Sequence, residues 1–325
     1  MNAFETKHLL KRFGELKAVD DVTLIAPENK IFGLLGPNGA GKTTIIKVLS
    51  TLHVPDKGSA QVLGFDVVEE PQKVREAIGL AGQYAAVDEF QTGYENVYMT
   101  GRLYGLGRAE AKKRTDELLE RLDLKEAANR PVRTYSGGMR RRLDVGASLV
   151  GRPKVLFLDE PTSGLDPKSR LDIWQIIREL VQAGTSILLT TQYLEEADEL
   201  ADQIAIINKG KVIAEGTSDE LKTQLGGDIV EFGLENAGDQ ARAMEVAHKF
   251  SKAAPSFNET TLQLAVPVAH GAKSLAEIAG AVSNANLKIS TLSLHRPSLD
   301  DVFLALTGDK TEQPKSASTA NRRPF

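Results

Sequence analysis

A glycine-rich turn between an apolar run and a helical stretch constrains this chain more than any other feature. Residues 31–44 read IFGLLGPNGAGKTT, and residues 36–44 satisfy the phosphate-loop pattern G-x-x-x-x-G-K-[ST]. Gly36, Pro37, Asn38, Gly39, Ala40 and Gly41 form the loop; the glycines let backbone N–H groups from about Asn38 to Lys42 turn inward as an anion nest. A helix starting behind such a loop adds its positive N-terminal end. Lys42 then reaches the β- and γ-phosphates of a nucleotide, the Thr43 hydroxyl binds Mg²⁺, and Thr44 completes the motif.

A second apolar run, KVLFLDEP at residues 154–161, ends in two adjacent acids. Acids leaving a buried strand need something there that favours negative charge. Asp159 suits the second Mg²⁺ partner, and Glu160 suits the base that orients or deprotonates an attacking water. A helix cap ahead of PTSGLDP is the plain alternative for these acids, and their pairing with the phosphate loop argues against it.

Around these motifs, the first 225 residues alternate short apolar runs (31–36, 154–161, 185–191, 204–210) with longer amphipathic stretches. Continuous apolar runs separated by helices predict a largely parallel sheet buried on both faces: an α/β fold of the P-loop NTPase kind. The opening residues alternate more and predict an antiparallel β subdomain. Between about 88 and 134 strand signals vanish, and Leu118, Leu119 and Leu122 fall at helical spacing, predicting a helical insertion. Gly226-Gly227 marks a hinge. Residues 228–308 then read β-α-β-β-α-β, the order of a small α+β ferredoxin-like C-terminal domain, with a last helix behind Ser298 and Asp301 at capping-box spacing. Residues 309–325 have almost no apolar content and are expected to be disordered.

Composition excludes several classes. There are no cysteines among the 325 residues, so disulfides, thiol catalysis and cysteine–zinc sites are out. A formal charge of -4 gives no global attraction to nucleic acid. The longest run without a charged side chain is 15 residues, 180–194, against about 20 needed to span a bilayer, and MNAFETKHLLKRFG is not expected to be a signal peptide. A membrane role is therefore expected to pass through a partner.

The segment TYSGGMRRRLDVGASLV, lying ahead of LFLDEP, carries a resemblance. Two glycines behind Ser136 open an apparent helix, a second phosphate-facing N-terminus with a hydroxyl donor. Over its first 220 residues the chain resembles the nucleotide-binding subunit of an ABC transporter. The resemblance implies that Phe13 stacks on adenine and that Gln83 senses Mg²⁺ and links to a membrane partner. It implies that Ser136, Gly137 and Gly138 close on the γ-phosphate held by a second copy, and that Asp166 lies in the loop crossing between copies. ATP and Mg²⁺ are the implied cofactors. The implied partners are a second copy in a head-to-tail ATP sandwich and an integral-membrane permease, with the chain peripheral on the cytoplasmic face of the membrane. The triplet Arg140 to Arg142 reads as a solvated helix face, with no nucleic-acid partner.

Two positions depart from the common pattern. Met139 stands where a glutamine closes the usual signature, and lacks that amide's donors and acceptor. Gln192, in TTQYLEEADELAD, stands in the place of a histidine that bridges γ-phosphate and water. Its amide can donate and accept but cannot carry a proton between pH 5 and 8, so positioning survives and acid–base chemistry at this residue does not. Both substitutions, with GQYAAVDE and RPSLDDVFLALTG, are similar to the daunorubicin-resistance branch of drug-exporter ATPases, where they are habitual. The expected function is ATP hydrolysis driving efflux of a drug-like or lipophilic compound through a separate permease. The alternative is a soluble ATP-gated ABC ATPase of DNA repair or translation. Coiled-coil insertions, zinc cysteines or tandem cassettes would mark that class, and the chain has none of these.

Overall fold

Apolar runs become buried strands, and the polar turns between them become the site. The computed structural model describes residues 2–223 and 227–307, and the chain divides into two units between Glu215 and Gly216. The first unit opens with β1 (Asn2–Phe13), β2 (Leu16–Pro27) and β3 (Ile31–Leu35), followed by α1 (Lys42–Leu49), β4 (Lys57–Val62) and β5 (Phe65–Asp66). Next come α2 (Pro71–Ala77), β6 (Ile78–Ala81), α3 (Gly93–Leu103), α4 (Arg108–Arg121), α5 (Gly137–Ser148) and β7 (Val155–Asp159). It closes with α6 (Pro167–Gln182), β8 (Ser186–Thr191), α7 (Leu194–Leu200), β9 (Gln203–Asn208) and β10 (Lys211–Gly216).

Two sheets result. The first has the order β2-β1-β4-β5 and antiparallel pairing throughout, as the alternating N-terminal pattern predicts. The second has the order β10-β9-β3-β8-β7-β6, with β9, β3, β8, β7 and β6 parallel. Every residue of β3, β7 and β8 is buried. Their side chains alternate between two apolar clusters: Leu156, Leu158, Ile187 and Leu189 face one, and Val155, Phe157, Leu188, Phe32 and Leu34 the other. Period-two alternation into two cores is what covers both faces of a parallel sheet. The first core includes Leu118, Leu119 and Leu122 from the helical insertion. α3 starts with a capping box, Thr92 Oγ1 accepting from Glu95 N and Glu95 Oε2 from Thr92 N, which fixes where the insertion's first helix begins.

The second unit carries α8 (Ser218–Thr223), β11 (Ile229–Leu234), α9 (Gln240–His248), β12 (Ser256–Asn258), β13 (Gln263–Pro267), α10 (Gly271–Asn284), β14 (Ile289–His295) and α11 (Leu299–Thr307). Its sheet is antiparallel, order β12-β13-β11-β14, with Val230, Phe232, Leu264, Val266 and Ile278 in one core. The β-α-β-β-α-β order is the ferredoxin-like one. Ser298 and Asp301 form the capping box ahead of α11: Asp301 N donates to Ser298 Oγ at 3.2 Å and Ser298 N to Asp301 Oδ2 at 2.8 Å. The division between units falls at Glu215, earlier than the 225 read from the sequence. Leu221 of α8 is buried, and that helix packs against α11, so the segment before the double glycine already belongs to the second unit. Gly226 of that hinge and the tail 309–325 lie outside the described residues.

Candidate active site

The phosphate loop is shaped by contacts that exclude side chains. At Gly36 a Cβ would lie 2.2 Å from the Ile207 carbonyl oxygen, and at Gly41, φ 109°, it would lie 2.3 Å from that of Ala18. Only glycine fits either place. Lys42, the first residue of α1, is buried; its Nζ donates to the carbonyls of Gly36 at 2.6 Å and Pro37 at 3.1 Å. The Glu160 Oε1 lies 3.4 Å from the same nitrogen. Burial pulls the Lys42 ammonium below the usual lysine range, and the charges of Glu160 and Asp159 oppose that pull.

β7 and β8 deliver the acids. Thr190 Oγ1 donates to Asp159 Oδ1 at 2.6 Å, and Thr43 Oγ1 donates to the same oxygen at 3.1 Å. The next residue, Glu160, leaves the strand in a left-handed conformation, φ 48°, with its N–H donating to Thr190. Non-glycine residues held there cost about 1–3 kcal/mol and persist only where neighbours over-determine them. Gln192 follows Thr191 at the end of β8, beside the loop, since Gly36 N donates to the Thr191 carbonyl at 3.3 Å.

A cleft of about 410 Å³ opens over the phosphate loop and Glu160; Asp159 and Gln192 do not line it. It is lined by Phe13, Leu16, Ala18, the loop residues Asn38, Gly39, Ala40, Gly41, Lys42, Thr43 and Thr44, together with Gln83 and Glu160. Phe13 is 46% exposed, with its ring edge-to-face with His53 at 5.5 Å, so it is an offered surface and not core. Ser136, Gly137 and Asp166 do not line this cleft; they are exposed. Ser136 Oγ accepts from Met139 N at 3.2 Å as the cap of α5, and Asp166 caps α6 through Ser169 N at 3.0 Å. The two caps adjoin: a Cβ at Gly138 would lie 2.3 Å from Ser169 Oγ. Met139 packs its side chain against the first core.

The arginine triplet corrects the sequence reading. Arg141 does not lie on a solvated face; it is 6% exposed and its guanidinium donates to four acceptors in the protein interior. Helix α5 runs beside the ends of β6 and β7, and its inward face at this turn meets main-chain carbonyls, which a charged fork can satisfy. Burial pushes the Asp144 carboxyl up, opposed by the Ala86 N–H bond and Arg141. Arg140 is tied to Glu89 at 2.7 Å and Arg142 lies 3.5 Å from Asp123, so none of the three is a free cation.

Glu196 is a second residue that the acidic pattern after Gln192 concealed. It is fully buried, and its Oε1 accepts from Thr162 Oγ1 at 2.7 Å and Trp174 Nε1 at 3.0 Å. Burial raises its pKa; bonds from Thr191, Thr162 and Trp174 and the charge of Arg170 lower it less. A carboxyl raised in the folded chain contributes stability fully below its unfolded pKa and loses it as pH rises through the folded value. Glu196→Gln cannot ionise, so its melting temperature is expected to gain on the wild type as pH rises from 5 to 8. A difference that stays constant with pH would show that Glu196 is not buried as the neutral acid.

Comparison with known proteins places this site in a family. The ABC transporter family model matches residues 19–163, and the model described as the C-terminal domain of DrrA1-3-like ATP-binding proteins matches residues 216–307. The daunorubicin resistance ATP-binding protein DrrA2 of Streptomyces coeruleorubidus is 48% identical over 98% of this chain and 99% of its own length. The daunorubicin/doxorubicin resistance ATP-binding protein DrrA of Streptomyces peucetius is 46% identical over 98% and 96%. Among solved structures, an ATP-binding subunit of an ABC transporter is 28% identical with a TM-score of 0.62, covering 69% of this chain and 93% of that one. An ATP-binding cassette solved as a dimer in a post-hydrolysis state, bound to ADP and Pi, is 25% identical with a TM-score of 0.61, covering 66% and 98%. The chain belongs to the ATP-binding proteins of ABC transporters, of the DrrA type, and is an ATPase. Among the described residues, no helix is long and apolar enough to cross a membrane.

Proposed function

We propose that two copies of this chain clamp two ATP molecules head to tail and drive a separate membrane permease that exports a drug-like or lipophilic compound. One observation carries the two-copy arrangement: the signature residues Ser136 and Gly137 and the loop residue Asp166 are exposed and absent from the cleft that holds the phosphate loop. A nucleotide seated on Lys42 meets them only from a second copy. Phe13 stacks on adenine, and the loop amides and Lys42 hold the phosphates. Thr43, Asp159 and Gln83 offer hard oxygen donors of the kind Mg²⁺ takes, and the Thr43 hydroxyl already lies 3.1 Å from an Asp159 carboxylate oxygen. The metal, when bound, neutralises charge developing on the transferred phosphoryl group. Glu160 orients or deprotonates the water, and Gln192 holds a γ-phosphate oxygen through its amide.

Efflux of a drug-like compound is supported by the names of the relatives and by the match over both units. The permease contact falls around Gln83 and residues 84–98, where Tyr84 is 85% and Phe90 83% exposed. The chain is expected to sediment with membranes only when its permease is co-expressed. Failure to sediment in either case, with ATPase activity stimulated by nucleic acid or ribosomes, would favour the repair or translation class.

A further inference from the structure

Three segments of the first unit, helix α5, the loop after β6 and the acidic end of β7, meet at one buried side chain that the ATPase reading leaves unused. Arg141 Nε donates to the Pro161 carbonyl at 2.8 Å, and Nη2 to the Asp159 carbonyl at 3.0 Å. Its Nη1 donates to the Gly82 carbonyl at 2.5 Å and to Asp144 Oδ2 at 3.1 Å. The other oxygen of Asp144 accepts from Ala86 N at 2.8 Å. The two carbonyls at 159 and 161 flank Glu160, the residue held at φ 48°. The bonds to Gly82 and, through Asp144, to Ala86 bracket residues 83–85, with Gln83 next to the first of them.

We propose that Arg141, braced by Asp144, is a positioning residue that locks the loop 82–86 to the acidic end of β7, so that Gln83 and Glu160 keep one fixed separation during hydrolysis. The proposal rests on the reading of Glu160 as base and Gln83 as the Mg²⁺-side residue. Packing alone does not explain the pair. Taking two charges out of water is costly, and an apolar filler serves stability as well or better. Here each donor is aimed at the main chain beside a site residue. Three carbonyls in three directions suit a planar guanidinium, whose five N–H groups fork; a lysine ammonium on its flexible stem is a point donor and cannot span them. The left-handed turn at Glu160 also needs outside support, because an L-residue leaves that region wherever its neighbours allow. Thr190 supports it from the β8 side, accepting the Glu160 N–H at 3.0 Å, and Arg141 from the α5 side. The loop continues to Asp88, whose backbone is held by Asn96, so the frame covers both ends of the stretch that presents Tyr84.

The test uses the full-length chain and the variants R141K, D144N and E160Q. A displacement of about 1 Å at a catalytic group costs on the order of 10²-fold, so R141K is expected to lower kcat by about 10–100-fold. Affinity for a fluorescent ATP analogue stays close to wild type, since the phosphate loop is untouched. The Mg²⁺ concentration for half-maximal activity rises, because Gln83 is no longer kept at a fixed separation from the acidic end of β7; a role in folding alone would not move it. D144N keeps the acceptor for Ala86 N and is expected to show the same pattern more weakly, so it reads the brace even if R141K folds in low yield. Faster amide exchange at Ala86 and Glu160 in both variants accompanies the loss. Wild-type kcat and Mg²⁺ dependence in R141K and D144N would overturn the proposal. E160Q separates the two readings: undiminished turnover in E160Q sinks the assignment of the base, whereas a dead E160Q beside an unaffected R141K sinks only the brace.

Discussion

Glu160→Gln is expected to slow ATP turnover by about 10²–10⁴-fold while the chain still binds ATP. Glutamine matches the shape of the carboxylate and keeps the main-chain bonds that hold the turn, the N–H to Thr190 and the carbonyls on either side to Arg141. It removes the basic oxygen and with it the negative charge 3.4 Å from Lys42 Nζ. That charge competes with phosphate for the lysine, so ATP affinity should be unchanged or tighter in the variant. Phosphate release at saturating ATP and titration with a fluorescent analogue measure the two effects separately. Turnover at the wild-type rate would mean that another group activates the water.

Gln192→Ala is the second large effect. The side chain leaves β8 one residue after Thr191, whose carbonyl accepts from Gly36 N, so the amide starts at the rim of the phosphate loop. Loss of one preorganised donor aimed at developing charge costs on the order of 10²-fold in kcat. Gln192→His, which restores a donor, is expected to keep turnover. The two active forms then differ in pH response. Glutamine does not titrate, whereas a histidine changes charge between pH 5 and 8, so the wild type should have the flatter profile across that range. An alanine variant with full activity would show that this position holds nothing during hydrolysis.

How much of this was legible beforehand differs from residue to residue. The places of Lys42 and Thr43 in the cleft were readable because eight consecutive residues, 36–43, specify the backbone shape there. Asp159 and Glu160 were readable because the apolar run before them marks a strand end. Phe13 needed the family likeness, since a lone phenylalanine is more often core, and the cleft then placed it at 46% exposure. Arg141 and Glu196 were not legible. Each sits in a charged run, RRR or LEEADEL, that looks solvated, and nothing in the neighbouring residues marks the one charge that turns inward. For Glu196 the contrast is within a pair: Glu195 keeps 69% of its side chain exposed while Glu196 is sealed against Trp174.

The sequence by itself determined the phosphate loop, the buried strands and the order of the secondary elements, because these depend on neighbours along the chain: glycine placement, apolar runs, caps. The tertiary structure alone decided which charges are buried. Arg141 reaches Gly82 across 59 positions of chain and Asp159 across 18, and Glu196 meets Thr162 across 34. Those partners exist only once α5 and α7 have packed onto the sheet, and burial of a charge is fixed by the acceptors waiting there, which no local pattern records.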